Sequence, residues 1–177
     1  MERDDRGLIH AAAVLTVVLL AHGRTLAQGG PQRFGLSEPR NSAFVESSVA
    51  SARRDASRKL ESAECQAVFS DFRDPRGRTL TVNLAELGQT GRSYLDLVVL
   101  YQGEGSSPCQ NRGTFATTTP GSRAVLVCGS QFAERQRRDP GLAANLLIHE
   151  ELHSLGLVEN PPSSKEITAR VMARCGL

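Results

Sequence analysis

The sequence predicts an α+β domain: an N-terminal helix, a twisted mixed sheet of about four to five strands, and two C-terminal helices around one core. Three observations predict it. Apolar residues recur at helical spacing over residues 45–63, strand-like apolar runs broken by Gly and Pro follow over 66–128, and a capped apolar helix pattern begins at Asp139-Pro140. The order helix, strands, helix, helix indicates helices packed on a mixed sheet, and no internal repeat interrupts it.

Composition narrows the class. At 177 residues the chain suits one modest domain, and 23% charged residues of both signs exclude a collagenous, coiled-coil or multi-span membrane protein. The net charge is +2, no basic block stands out and only 5% of residues are aromatic, so no nucleic-acid partner is expected.

The first element is an address rather than a fold. Residues 11–21 (AAAVLTVVLLA) are uncharged, apolar and too short to span a bilayer, and Thr25-Leu26-Ala27 places small residues where a signal peptidase reads. Residues 1–27 therefore read as a signal peptide cleaved after Ala27, although Arg3 and Arg6 are outnumbered by Glu2, Asp4 and Asp5. The expected location is secreted or periplasmic, with no stable membrane association after cleavage. Cleavage would remove His10 and His22 and leave His149 and His153 as the only histidines. Four well-separated cysteines in an exported chain predict two disulfides. Cys109 with Cys128 is favoured because it flanks a hairpin, and Cys65 with Cys175 because it would tie the C-terminus to the body.

Residues 28–40 are rich in Gly and Pro and read as a flexible leader, so the single domain spans 41–177. From Asn41 or Ser42, both good N-caps, Val45, Val49, Ala52, Ala56, Leu60 and Ala63 form one helical stripe, with Arg53, Arg54, Arg58 and Lys59 on a solvated face. Strands are expected at 66–72, at 79–84 after the Asp74-Pro75-Arg76-Gly77 turn, and at 94–101. Residues 114–118 and 124–128 flank Pro120-Gly121 as a hairpin, whose threonine-rich first arm suits a sheet edge. Asp139 as N-cap and Pro140 at the first helical position start a helix that continues through 142–155 and ends at Gly156. A last helix covers 163–175 and opens on the capping box Ser163-Ser164-Lys165-Glu166.

The residues that carry chemistry are His149-Glu150-Glu151-Leu152-His153. Side chains four apart on a helix lie one above the other, so both imidazoles can face one ion. Two neutral nitrogen ligands suit Zn²⁺, which lowers the pKa of a bound water to roughly 7, and Glu150 beside them can take the water's proton as general base. With 4 His and 12 Glu in the chain, roughly 0.006 chance matches to this spacing are expected. Two surface histidines on an amphipathic helix, with Glu150 and Glu151 solvated, are the bland alternative. With no further His, the third ligand must be another group, and Glu159 and Glu166 are the only side-chain carboxylates after His153. Glu166 is needed by its capping box; Glu159 has no such duty.

HExxH on a helix resembles the active-site helix of the zincin metallopeptidases. The longer string HEELHSLGLVE is similar to the metzincin pattern HExxHxxGxxH, matched at His149, Glu150, His153 and Gly156. Glu159 departs from it, standing where a third His is usual. The tail over 156–175 more loosely resembles small uncharacterised bacterial secreted zincin-like proteins. A Met-turn is not evident, and Met172 reads as core. The resemblance implies a zincin-like fold whose edge strand pairs with extended substrate, here over 114–118. It implies a zinc metalloendopeptidase acting on a peptide or protein, with His149, His153 and Glu159 as ligands and Glu150 as general base, then proton donor to the leaving amine. Tyr94, Tyr101 and Arg123 are the candidates for a second electrophile. The alternative is an exported metal-stabilised binding module or a degenerate zincin without turnover.

Overall fold

The computed structural model describes residues 32–33 and 41–176. The signal segment 1–27 lies outside the described residues, as does the leader 28–40 apart from the short strand β1, Gln32–Arg33. Helix α1, Asn41–Lys59, buries Val45, Val49, Ala52 and Ala56 against α6 (Gly129–Arg138) and α7 (Pro140–Ser154). Its stripe ends at Leu60 rather than Ala63: the chain turns, and Ala63, exposed, opens α2, Ala63–Gln66. The basic face of α1 is partly engaged. Arg53 donates to the Leu95 and Val98 carbonyls (2.6 and 3.2 Å), and Lys59 donates to the Cys175 and Gly176 carbonyls (3.0 and 2.8 Å). These contacts hold α1 to the elements on either side of it.

The chain from 66 to 98 corrects the strand expectation. Residues 66–72 pass from α2 into α3, Val68–Asp71, and 79–84 lie in α4, Leu80–Glu86. Leu80 and Leu84 are one helical turn apart and both buried, whereas Val82 between them is exposed, so the alternating letters are one face of a helix. The predicted turn does form: the Gly77 amide donates to the Asp74 carbonyl, and Arg73 bridges to Thr79. Tyr94 belongs not to a strand but to α5, Gly91–Leu95, which a reciprocal Thr90–Ser93 capping box starts.

The sheet is mixed but smaller than expected. Three strands lie between residues 99 and 127: β2, Val99–Gln102; β3, Ala116–Thr118; and β4, Ala124–Val127. β2 runs parallel to β4, β3 pairs antiparallel with β4 as the predicted hairpin, and the two residues of β1 add to the far side of β2. The order β1-β2-β4-β3 leaves β3 at an edge. The helix α6, which the sequence reading did not anticipate, buries Phe132, Ala133 and Gln136 and leads directly into α7.

α7 is the central element, in contact with α1, α6, β3, β4 and the last helix α8, Ser164–Cys175. Ala143, Ala144, Leu147, Ile148 and Leu152 are all inaccessible or nearly so. Apolar residues on several faces of this helix are buried only when other elements surround it, which explains why they wrap it. Both predicted disulfides form, Cys65–Cys175 and Cys109–Cys128. The first fastens the end of α8 to α2, and the two bonds together point to an oxidising, extracytoplasmic compartment. No helix among the described residues is long and apolar enough to cross a membrane.

Candidate metal centre

Local rules fix both ends of α7 and thereby the site. The Asp139 carboxylate accepts from the Leu142 amide (3.0 Å) and Pro140 occupies the first turn, so the register of the helix is set ten residues before His149. At the other end the Gly156 amide donates to His153 O (2.8 Å) and the Leu157 amide to Leu152 O (3.1 Å). This paired closure needs a residue of positive φ, and Gly156 supplies it at +105°. The chain then turns back over the last turn of α7. Leu157 is buried, and its carbonyl accepts from His153 Nδ1 (2.8 Å).

The reversal delivers Glu159 to the two imidazoles. His149 Nε2 and His153 Nε2 are 3.0 Å apart, and Glu159 Oε1 lies 3.8 Å from the first and 3.3 Å from the second. Glu166 is elsewhere: its carboxylate accepts from the Ser163 amide and hydroxyl (2.8 and 2.7 Å), completing the predicted capping box. Both histidines are buried, while the Glu159 side chain remains 36% exposed and forms the open side of the group.

This donor set fits a metal ion. Zn–N and Zn–O distances of about 2.0–2.2 Å in a tetrahedral site imply ligand atoms roughly 3.3 Å apart, and the three observed separations bracket that edge. The Leu157 carbonyl can only accept, so His153 carries a proton on Nδ1, and the neutral imidazole with this hydrogen bond has its lone pair at Nε2. Burial, with the neighbouring His153 adding to it, pushes the His149 imidazole down to about 3, so it is neutral at pH 7. His149, His153 and Glu159 are a group that could hold a metal ion. No family model, curated protein or solved structure matches the chain.

Glu150 occupies the position its place in the helix predicts, on the cleft side of α7. Its Oε2 is buried without a hydrogen-bond partner among the described residues. Burial pushes the carboxyl up to about 7, against the opposing influence of the Thr118 hydroxyl and His153. Glu151 points into the core instead: it is inaccessible, both of its oxygens lack a partner among the described residues, and burial holds it well above the usual carboxylate range despite Arg53. Neither residue is a solvated surface carboxylate.

A cleft of about 420 Å³ opens over Glu150 and the three candidate ligands. One wall is β3, the edge strand, and Phe115 and Leu146 are apolar parts of the lining. The hairpin is held to α7 by the Gly121 amide, which donates to His153 O (2.9 Å). The expected second electrophiles are not brought here. Tyr94 and Arg123 border a separate hollow, where the Tyr94 hydroxyl donates to Ser154 O (3.2 Å), and Tyr101 lines a hollow beside Leu126. Tyr94 sits on α5 and Tyr101 on β2, so neither element reaches the cleft. Met172, half-buried on α8, is not among the cleft residues.

Sequence reading missed Thr168. Its hydroxyl lies 3.0 Å from His149 Nδ1 and it lines the cleft from α8. The signal was weak, a polar residue next to the buried Ile167 and three before the buried Val171, on a helix otherwise read as packing.

Proposed function

We propose that this protein is a secreted zinc-dependent metallopeptidase. One observation carries the reading: a buried Glu150 oxygen, unpartnered among the described residues, stands beside a His149–His153–Glu159 group, in a cleft walled by the edge strand β3. Zinc, when bound there, supplies Lewis acidity that polarises a carbonyl and acidifies water to roughly pKa 7.

The chain's residues account for the rest. The edge of β3 that faces away from β4 offers backbone groups to an extended peptide, laying the scissile bond across the cleft. Glu150 takes a proton from the attacking water as its oxygen bonds to the carbonyl carbon. The same carboxyl then gives that proton to the departing amine nitrogen as the C–N bond breaks. A carboxyl held near 7 by burial exchanges a proton in either direction at neutral pH. The threonine side chains of the cleft bear no charge, and among the described residues no tyrosine or arginine lines it; with His149, His153 and Glu159 engaged as ligands, proton transfer falls to Glu150.

The test is a peptide-library digest with purified zinc-loaded protein, analysed by mass spectrometry. Cleavage that a chelator abolishes and added zinc restores is the expected result. Absence of any cleavage at full zinc occupancy would refute the reading.

A further inference from the structure

We propose that Thr168 is a positioning residue for the metal centre: its hydroxyl accepts the Nδ1 proton of His149 and so keeps that histidine's Nε2 free to ligate. The inference rests on the assignment of His149 as a ligand, but not on peptide hydrolysis. The two imidazoles face each other through Nε2 at 3.0 Å, and each has one partner at Nδ1. Those partners differ in kind. Leu157 O, 2.8 Å from His153, is a carbonyl and imposes one tautomer; Thr168 Oγ1, 3.0 Å from His149, is a hydroxyl that accepts or donates. Only in the accepting role does it leave the His149 lone pair pointing at Glu159 and His153.

The fold gives this hydroxyl a fixed place. Ile167 and Val171 bury α8 against α7, the Ser163–Glu166 box sets its start, and Arg174 pairs with Asp71 (2.8 Å) near its end. The Cys65–Cys175 bond anchors its last residue. Thr168 thus belongs to a helix clamped at both ends, and the ring of His149 is oriented by an element that contributes no ligand of its own.

The experiment measures zinc affinity of the full mature chain by competition with a chromophoric chelator, for wild type, Thr168→Val and Thr168→Ser. Thr168→Val preserves shape and removes the acceptor; it should weaken zinc binding about 10- to 100-fold, as loss of outer-shell partners does. Thr168→Ser should restore affinity to within about threefold of wild type. Long-range ¹H–¹⁵N correlation of the zinc-loaded wild type should show the His149 proton on Nδ1. Unchanged affinity in Thr168→Val would overturn the proposal, and so would a proton on Nε2. An affinity loss in Thr168→Val that Ser fails to rescue, accompanied by a matching fall in metal-free melting temperature, would assign Thr168 to packing and equally overturn it. Failure of peptide cleavage alone leaves these binding readouts intact, so the two readings fail separately.

Discussion

Glu159 and Glu166 differ in how their carboxylates are engaged, and substitutions separate them. Among the described residues no hydrogen bond anchors Glu159, which lies within 3.8 Å of both imidazole nitrogens, whereas Glu166 is held at the Ser163 cap. Glu159→Ala is expected to weaken zinc binding more than about 100-fold, beyond the range of outer-shell losses, with little change in metal-free stability. Glu166→Ala is expected to leave zinc bound and to lower the melting temperature by a few degrees, as lost caps do. Chelator competition and thermal unfolding of both variants check this pair, and exchanged phenotypes would move the ligand to α8. The spacing of His149, Glu150 and His153 was legible in the sequence because helix geometry alone sets which side chains stack. Thr168 was not, since its role depends on how α8 docks across α7, a contact made 19 residues away in the chain.

At the scale of elements, legibility followed the local signals. α7 and α8 begin and end where Asp139-Pro140, Gly156 and Ser163-Glu166 place them, because caps satisfy backbone groups within a few residues. The short helices α3 and α4 read as strands in the sequence, because two apolar residues four apart fit a period of two as well as one of 3.6 when the segment is under two turns long. Burial broke the tie: Leu80 and Leu84 reach the core while Val82 does not. Gly156 joins the element scale to the site. An added Cβ would meet only ordinary contacts there, the nearest being Asp74 Cβ at 3.7 Å, so the cost of Gly156→Ala lies in the backbone. Holding alanine at φ +105° is expected to cost about 1–3 kcal/mol. Denaturant unfolding measures that cost, and zinc affinity should fall with it because the same turn returns Glu159 to the histidines.

For the whole molecule, the two disulfides and one buried polar hub add to the stability that the apolar core supplies. Cys65–Cys175 closes 110 residues of chain and Cys109–Cys128 closes 19. On the chain-entropy model, removing the first by paired Cys→Ala substitution should cost about 5 kcal/mol and the second about 3 kcal/mol, an order that denaturant melts can test. Acid should act through Asp74. Burial alone would push that carboxyl up, but the Arg78 and Arg76 amides, the Arg78 guanidinium and the Asn83 amide outweigh it and hold it at about 2. A carboxyl depressed in the folded state stabilises above its ordinary value near 3.8 and loses that contribution as pH falls through about 2. Asp74→Asn should therefore melt below wild type at pH 7, with the difference closing between about pH 4 and pH 2. Asn83 also donates to Leu155 O (2.9 Å), so this hub supports the end of α7 as well as the 74–78 turn.

The cleft, the donor set and Glu150 converge on one claim, and Glu150→Gln addresses it most directly. The substitution keeps size and removes the proton carrier without touching His149, His153 or Glu159. The measurement is the rate at which the zinc-loaded variant cleaves a peptide that wild type cleaves, with bound zinc quantified in the same sample. A fall of about 10²- to 10⁴-fold at one zinc per chain is the expected result. Cleavage undiminished at equal zinc occupancy would contradict the account, because some other group would then be moving the proton.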